Sequence, residues 1–111
     1  MTDVPLTWNE TLEDSSKWQD FKRPDLAAGA AQWGRDEVTG AVRRIMYICP
    51  CGCQEWRCIS VSNASPPPKH HWHWDGNEAT PTLSPSILHV ANKEDDCSWH
   101  GHLVAGVWKG C

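Results

Sequence analysis

Cys49-Pro50-Cys51-Gly52-Cys53 gathers three thiols into five residues, and Cys97-Ser98-Trp99-His100 sets a fourth thiol three positions before an imidazole. Thiolate and imidazole are the donors zinc takes in closed tetrahedral sites, and two short clusters separated by a strand-rich stretch are a common way to assemble one. The candidate metal ligands are therefore Cys49, Cys51, Cys53, Cys97 and His100, five donors for four places. Gly52 tolerates the positive φ that a tight turn between its neighbours needs, which makes Cys51 and Cys53 the first choice and Cys49 the reserve. Cys58, alternating with Trp56, reads as a small buried side chain, and Cys111 as a terminal thiol.

The elements that must hold these residues read as β. Val42 to Ile48 is rich in β-branched and aromatic residues and delivers Cys49 at its end, and Glu55 to Val61 returns, so the cysteine triplet sits at a hairpin tip. Gly29 to Trp33 forms an earlier strand, and Asp36 to Gly40 a turn. Ser65-Pro66-Pro67-Pro68 is a stiff spacer, since prolines lack the N–H a ladder needs. His71-Trp72-His73-Trp74 alternates, with both histidines on one strand face and both tryptophans on the other, closed by the turn dipeptide Asp75-Gly76. Pro81 to Pro85 reads as a structural corner before a strand over Ser86 to Val90. Asn92 to Asp96 reads as a charged loop, and Ala105-Gly106 as the turn of a final hairpin. A short helix near Thr11 to Phe21 is the one helical element the pattern allows. The expected architecture is mainly β: a small metal-stapled hairpin and sheet domain over 29–111, preceded by an N-terminal segment, 1–28, that is part-helical.

Composition narrows the function classes. The chain has 111 residues, enough for one domain. A net charge of −4 with dispersed Lys and Arg argues against an extended phosphate-binding surface. No stretch approaches the ~20 apolar residues of a membrane span, and the first residues lack a secretory pattern, which points to a reducing cytoplasm where clustered thiols bind metal. Eight tryptophans against one Phe and one Tyr mean that indoles fill most of the core. Trp72, Trp74, His71 and His73 are the candidate partner-binding residues, because two indoles and two imidazoles on one short strand cannot all be buried in so small a domain. His89 and His102 read as structural.

The motifs Cys-Pro-Cys-Gly-Cys, Trp-x-Trp-Asp-Gly (Trp72 to Gly76), Pro-Thr-Leu-Ser-Pro-Ser-Ile (Pro81 to Ile87) and Cys-x-Trp-His-Gly-x-Leu (Cys97 to Leu103) together resemble a family of small proteins of tailed phages and prophages, with relatives beside bacterial ubiquitin-like conjugation genes. The resemblance covers roughly residues 29 to 111. It implies zinc binding through Cys49, Cys51, Cys53, Cys97 and His100, in a protein of the host cytosol that acts in host takeover or counter-defence.

The leading expectation is a non-catalytic zinc module that binds a host or phage protein. A Rieske-like 2Fe-2S carrier with three cysteines and one histidine is the first alternative, because Cys97 to Gly101 matches the second half of that motif while Cys51-Gly52-Cys53 replaces the first. A zinc hydrolase is the second. It lacks the His-x-Glu element that would supply a base, and nothing in the sequence makes Glu55 or Asp75 one.

Overall fold

The computed structural model describes residues 3–19, 22–64, 66–89 and 99–110. Among the described residues nine strands form one sheet: β1 (Val4–Pro5), β2 (Thr7–Trp8), β3 (Ala30–Arg35), β4 (Val42–Ile48), β5 (Trp56–Ser62), β6 (Trp72–Trp74), β7 (Leu83–His89), β8 (Trp99–Val104) and β9 (Val107–Gly110). Their spatial order is β1-β9-β8-β7-β6-β5-β4-β3-β2. β1 and β2 are separated only by Leu6, so one N-terminal segment lies against both outer strands and nearly closes the sheet into a barrel. The mainly β expectation holds. In place of a helix over Thr11 to Phe21, the described part of that stretch has a single 3-10 turn, Ser15–Lys17, because Trp8, Leu12 and Trp18 do not recur at helical spacing.

Most ladders are antiparallel. The exceptions are β2 with β3 and β5 with β6, the latter joined through the proline-rich spacer that carries the chain back to run beside β5 in the same direction. Inside the barrel, Ile45, Tyr47, Val61, Trp74, Leu83, Ile87, Leu103 and Trp108 make the main core. Tyr47 and Trp99 both pack against Trp108, with ring centroids 4.6 and 6.1 Å from it. The outer faces of β3 and β4 carry a second patch, Ala30, Met46 and Ile48, which Leu12 and Leu26 of the N-terminal segment cover.

Arg23 pins that cover. Its guanidinium is buried and bonds Asp25 twice at 2.8 Å, Thr11 O at 2.7 Å and Leu12 O at 3.0 Å, so its charge is neutralised and its N–H groups are used. The Arg23 hydrogen bond in turn holds the Asp25 carboxyl down at about 2. Closure at the sheet edge depends on Gly29, whose φ of +83° and lack of a Cβ let Val4 and Trp108 approach; a Cβ there would lie 2.8 Å from Val4 Cγ1 and 2.9 Å from Trp108 Cδ1.

Candidate functional site: a cysteine turn and a serine bulge

β4 ends by delivering Cys49 into the core, where its N–H bonds Glu55 O at 2.9 Å. The chain turns through Gly52 (φ +95°) and Gln54 (φ +67°), and the Glu55 N–H points at Cys53 Sγ, 3.5 Å away. This turn folds the sulfurs of Cys49, Cys51 and Cys53 to within 4.8 Å of one another, with Cys49 Sγ and Cys51 Sγ 3.3 Å apart. Three soft donors at such separations can share one metal ion, and the backbone N–H aimed at Cys53 is the kind of contact that stabilises a bound thiolate. The thiols therefore fit a metal centre as a set of three. Cys49, the reserve in the sequence reading, is the buried member of the trio.

His89 was read as structural, and the structure sets it beside this cluster. Its Nδ1 lies 3.4 Å from Cys49 Sγ and its Nε2 2.5 Å from the Tyr47 hydroxyl. Burial, and secondarily the charge of Arg57, push its pKa down to about 4, so the imidazole is neutral near pH 7. The signal for it was its place at the end of an apolar strand run, which alone does not distinguish a core histidine from a ligand. His100 is exposed on the outward face of β8, its ring centroid 6.5 Å from that of His102. Among the described residues it is not brought to the three thiols. Cys97 and Cys111 lie outside the described residues, as does the loop read over Asn92 to Asp96. Cys58 is exposed and not buried, because it alternates outward opposite Met46 while Ile59 and Val61 face the core.

A second constellation lies on the outside of the sheet. Val61, Trp74 and Leu83 point into the core, so their neighbours Ser62, His73 and Ser84 project from the opposite face. Register aligns these three across β5, β6 and β7: Ser62 opposite His73, and His73 opposite Ser84. Asp75 N–H bonds Thr82 O two residues along, which makes His73 and Ser84 a hydrogen-bonded pair, whose side chains typically stand with Cβ atoms about 4.5–5.5 Å apart.

β7 then departs from regular pairing. Leu83 faces Leu103 and Ile87 faces Gly101, so Ser84-Pro85-Ser86 bulges opposite His102 of β8. Two serines on a bulge thus have a histidine on each flanking strand. The segment expected to be a corner is the middle of the sheet, because Leu83 and Ile87 both find core places. His73 is the side of β6 left outward. Trp74 is buried with its Nε1–H on Asn77 O at 3.0 Å, Trp72 packs against the core with its own on Ser86 O at 3.2 Å, and His71 Nδ1 lies 3.0 Å from Lys69 O.

The family model described as "bacterial ubiquitination-like system serine protease (BubE)" matches residues 18–111, and the chain belongs to that family. No curated protein and no solved structure matches it. Membership bears out the link to ubiquitin-like conjugation and corrects the expectation of a non-catalytic, zinc-only phage protein, because the family is one of enzymes. Ser84 and His73 meet through strand register alone, and neither stands in a local motif of the nucleophile-elbow kind. Such systems work on proteins, so a protein partner stands. Among the described residues no helix is long and apolar enough to cross a membrane.

Proposed function

We propose that the chain is a serine peptidase that cuts an acyl bond of a protein in a ubiquitin-like conjugation system, with Ser84 as nucleophile and His73 as base. One observation carries the reading: Ser84, exposed on a bulge, is the register partner of His73 on the outward face of the sheet. In the reaction, the His73 imidazole takes the Ser84 Oγ proton as Oγ attacks the carbonyl carbon of the substrate. The proton passes from the imidazolium to the departing amine. Water then adds to the acyl-serine, giving up a proton to His73, and the imidazolium returns that proton to Ser84 Oγ as the C–Oγ bond breaks and the acid product leaves. In this reading Ser62, the register partner of His73 on β5, orients the ring, while its hydroxyl oxygen accepts the Ala64 N–H at 3.1 Å.

The cysteine turn has a separate task in this reading. Cys49, Cys51 and Cys53, completed by Cys97, which lies two residues before β8 in the sequence, hold a zinc ion that ties the β4–β5 turn to the end of the sheet where β8 begins. Zinc analysis of Cys97→Ser, His100→Ala and His89→Ala identifies the fourth donor as the position whose loss releases the metal.

The test of the nucleophile is covalent labelling. A fluorophosphonate probe should modify Ser84, found by peptide mass mapping, and S84A and H73A should abolish the modification while circular dichroism stays unchanged. Labelling at Ser86 or Ser62 instead would move the nucleophile, and undiminished substrate cleavage by S84A would refute its assignment.

A further inference from the structure

Beyond β2 the edge of β3 is bare. The Ala31 carbonyl accepts the Asn9 N–H at 2.9 Å, which sets the backbone polar groups of Ala31 on the β2 side of the strand, and those of Trp33, two residues on, on the same side. The chain then leaves the sheet, because Asn9 turns its own Oδ1 onto the Thr11 N–H (2.8 Å) and hydroxyl (2.7 Å). Trp33 consequently presents an N–H and a C=O to a groove and not to a neighbouring strand. Neither group has a backbone partner among the described residues.

The groove has a volume of about 740 Å³, and Trp8, Trp33, Glu10, Glu13, Glu37 and Arg44 line it. Its two indoles lie with ring centroids 5.2 Å apart and are held by their polar edges, Trp8 Nε1–H on Ala79 O and Trp33 Nε1–H on Glu78 O, each at 3.0 Å. Trp8 is still 40% exposed, a large apolar side chain left open beside an open strand edge. Arg35, also on the lining, is committed to the Glu78 carboxylate and to Gly40 O at 3.1 Å. That leaves the carboxylates of Glu10, Glu13 and Glu37 against the single guanidinium of Arg44, and among the described residues none of the three has an ion pair.

We infer that this groove binds an extended peptide segment bearing Lys or Arg, added as a strand along Trp33 to Arg35. The guest backbone pairs with the Trp33 N–H and C=O, its cationic heads lie among Glu10, Glu13 and Glu37, and its alkyl stems and charges rest on the indole faces. Carbohydrate would also stack on indoles. It has no use for a bare backbone N–H and C=O in strand spacing, nor for three carboxylates, and so does not account for the lining. The inference goes beyond the peptidase assignment and stands without it, since it concerns a binding surface and no bond is made or broken.

The experiment uses full-length S84A, so that cleavage cannot deplete the probe, and a blocked seven-residue peptide alternating lysine with valine. Calorimetry should show saturable binding of one peptide per chain. Binding should weaken by at least about tenfold when glutamate replaces lysine in the peptide, in the E10K/E13K double variant, and when alternate peptide amides are N-methylated. Amide exchange at Trp33 should slow when the peptide binds, a change that loose charge attraction would not produce. Glu10 and Glu13 are exposed, so their replacement leaves the fold intact, and W8A tests the aromatic contribution separately. Equal affinity for the lysine and glutamate peptides, an unprotected Trp33 amide or no saturable binding would each overturn the inference. So would a concentration-dependent dimer abolished by E10K/E13K, which would assign the groove to a second copy of the chain.

Discussion

The cysteine turn joins two strands and the serine bulge interrupts one, and they dispose their polar groups in opposite ways. At the turn, three thiols close in sequence gather, Cys49 buried and Cys51 exposed, with the Glu55 backbone accepting from Cys49 N–H and donating to Cys53 Sγ. At the bulge, two serines project outward and owe their histidine neighbours to the strands on either side. A metal held by the first arrangement would add its binding energy to stability, because the donors are fixed only when the turn is formed. The second leaves stability nearly untouched, because its polar groups stand on the wet face of a sheet whose other face is already packed. A fold can therefore keep its reactive groups apart from what holds it together.

The largest effect expected of any substitution falls on activity. Removing the proposed nucleophile or base, as S84A or H73A, should lower turnover by roughly 10²–10⁴-fold or more, with a melting temperature within a few degrees of the parent. If either variant melts far below the parent, the bulge is structural and the contrast with the turn collapses. The next effect is on stability. Cys49→Ser should lower the melting temperature by roughly 10–20 °C, corresponding to a loss of about 3 kcal/mol, and chelation of the wild type should reproduce the shift. A chelated protein that melts normally and still reacts with a fluorophosphonate would show that the thiols hold no structural metal.

Two smaller effects sharpen the comparison by probing parts of the fold that belong to neither site. Gly29→Ala forces a side chain into a positive-φ position already flanked by Val4 and Trp108, and should cost about 1–3 kcal/mol as read by urea denaturation, with the labelling of Ser84 retained. Asp25 gives the least. Its carboxyl is held at about 2 in the fold against an ordinary value near 3.8, so its contribution is in full force above about pH 4 and is lost as pH falls through 2. Asp25→Asn should therefore flatten the decline in melting temperature over that window, and an unchanged acid slope would mean that Arg23 is held by Thr11 and Leu12 alone.

How legible each region was in the sequence follows from the range of its determinants. Val42 to Ile48 and the return strand were readable because β-branched and aromatic runs report local preference, and the cysteine turn because its ligands are sequence neighbours. The Ser62, His73 and Ser84 row was not, since a shift of one residue in any of three strands would turn its side chains inward, and nothing local fixes that register. Pro81 to Pro85 suggested a corner because prolines normally avoid central strands; here the bulge removes Pro85 from regular pairing with β8. The partner-binding reading of β6 took its indoles as open anchors, whereas Trp74 is buried and Trp72 packs against the core; alternation separates the two faces of the strand. Which of them faces the core depended on β5 and β7, and the indoles took that side. Trp8 and the edge of β3 gave no signal, because an open edge exists only once the neighbouring strand is known to stop.

Val4 and Pro5 pair with Trp108 and Val107, so the first and last strands of the sheet are adjacent in space. During synthesis, Val4 and Pro5 leave the ribosome well before their partners Val107 and Trp108 are made. The ring of strands can be completed only after the last hairpin emerges. Until then, Gly29 and Trp108 lack the contact that seals the edge, and the nascent chain exposes an unsealed sheet for which a chaperone would serve as temporary cover.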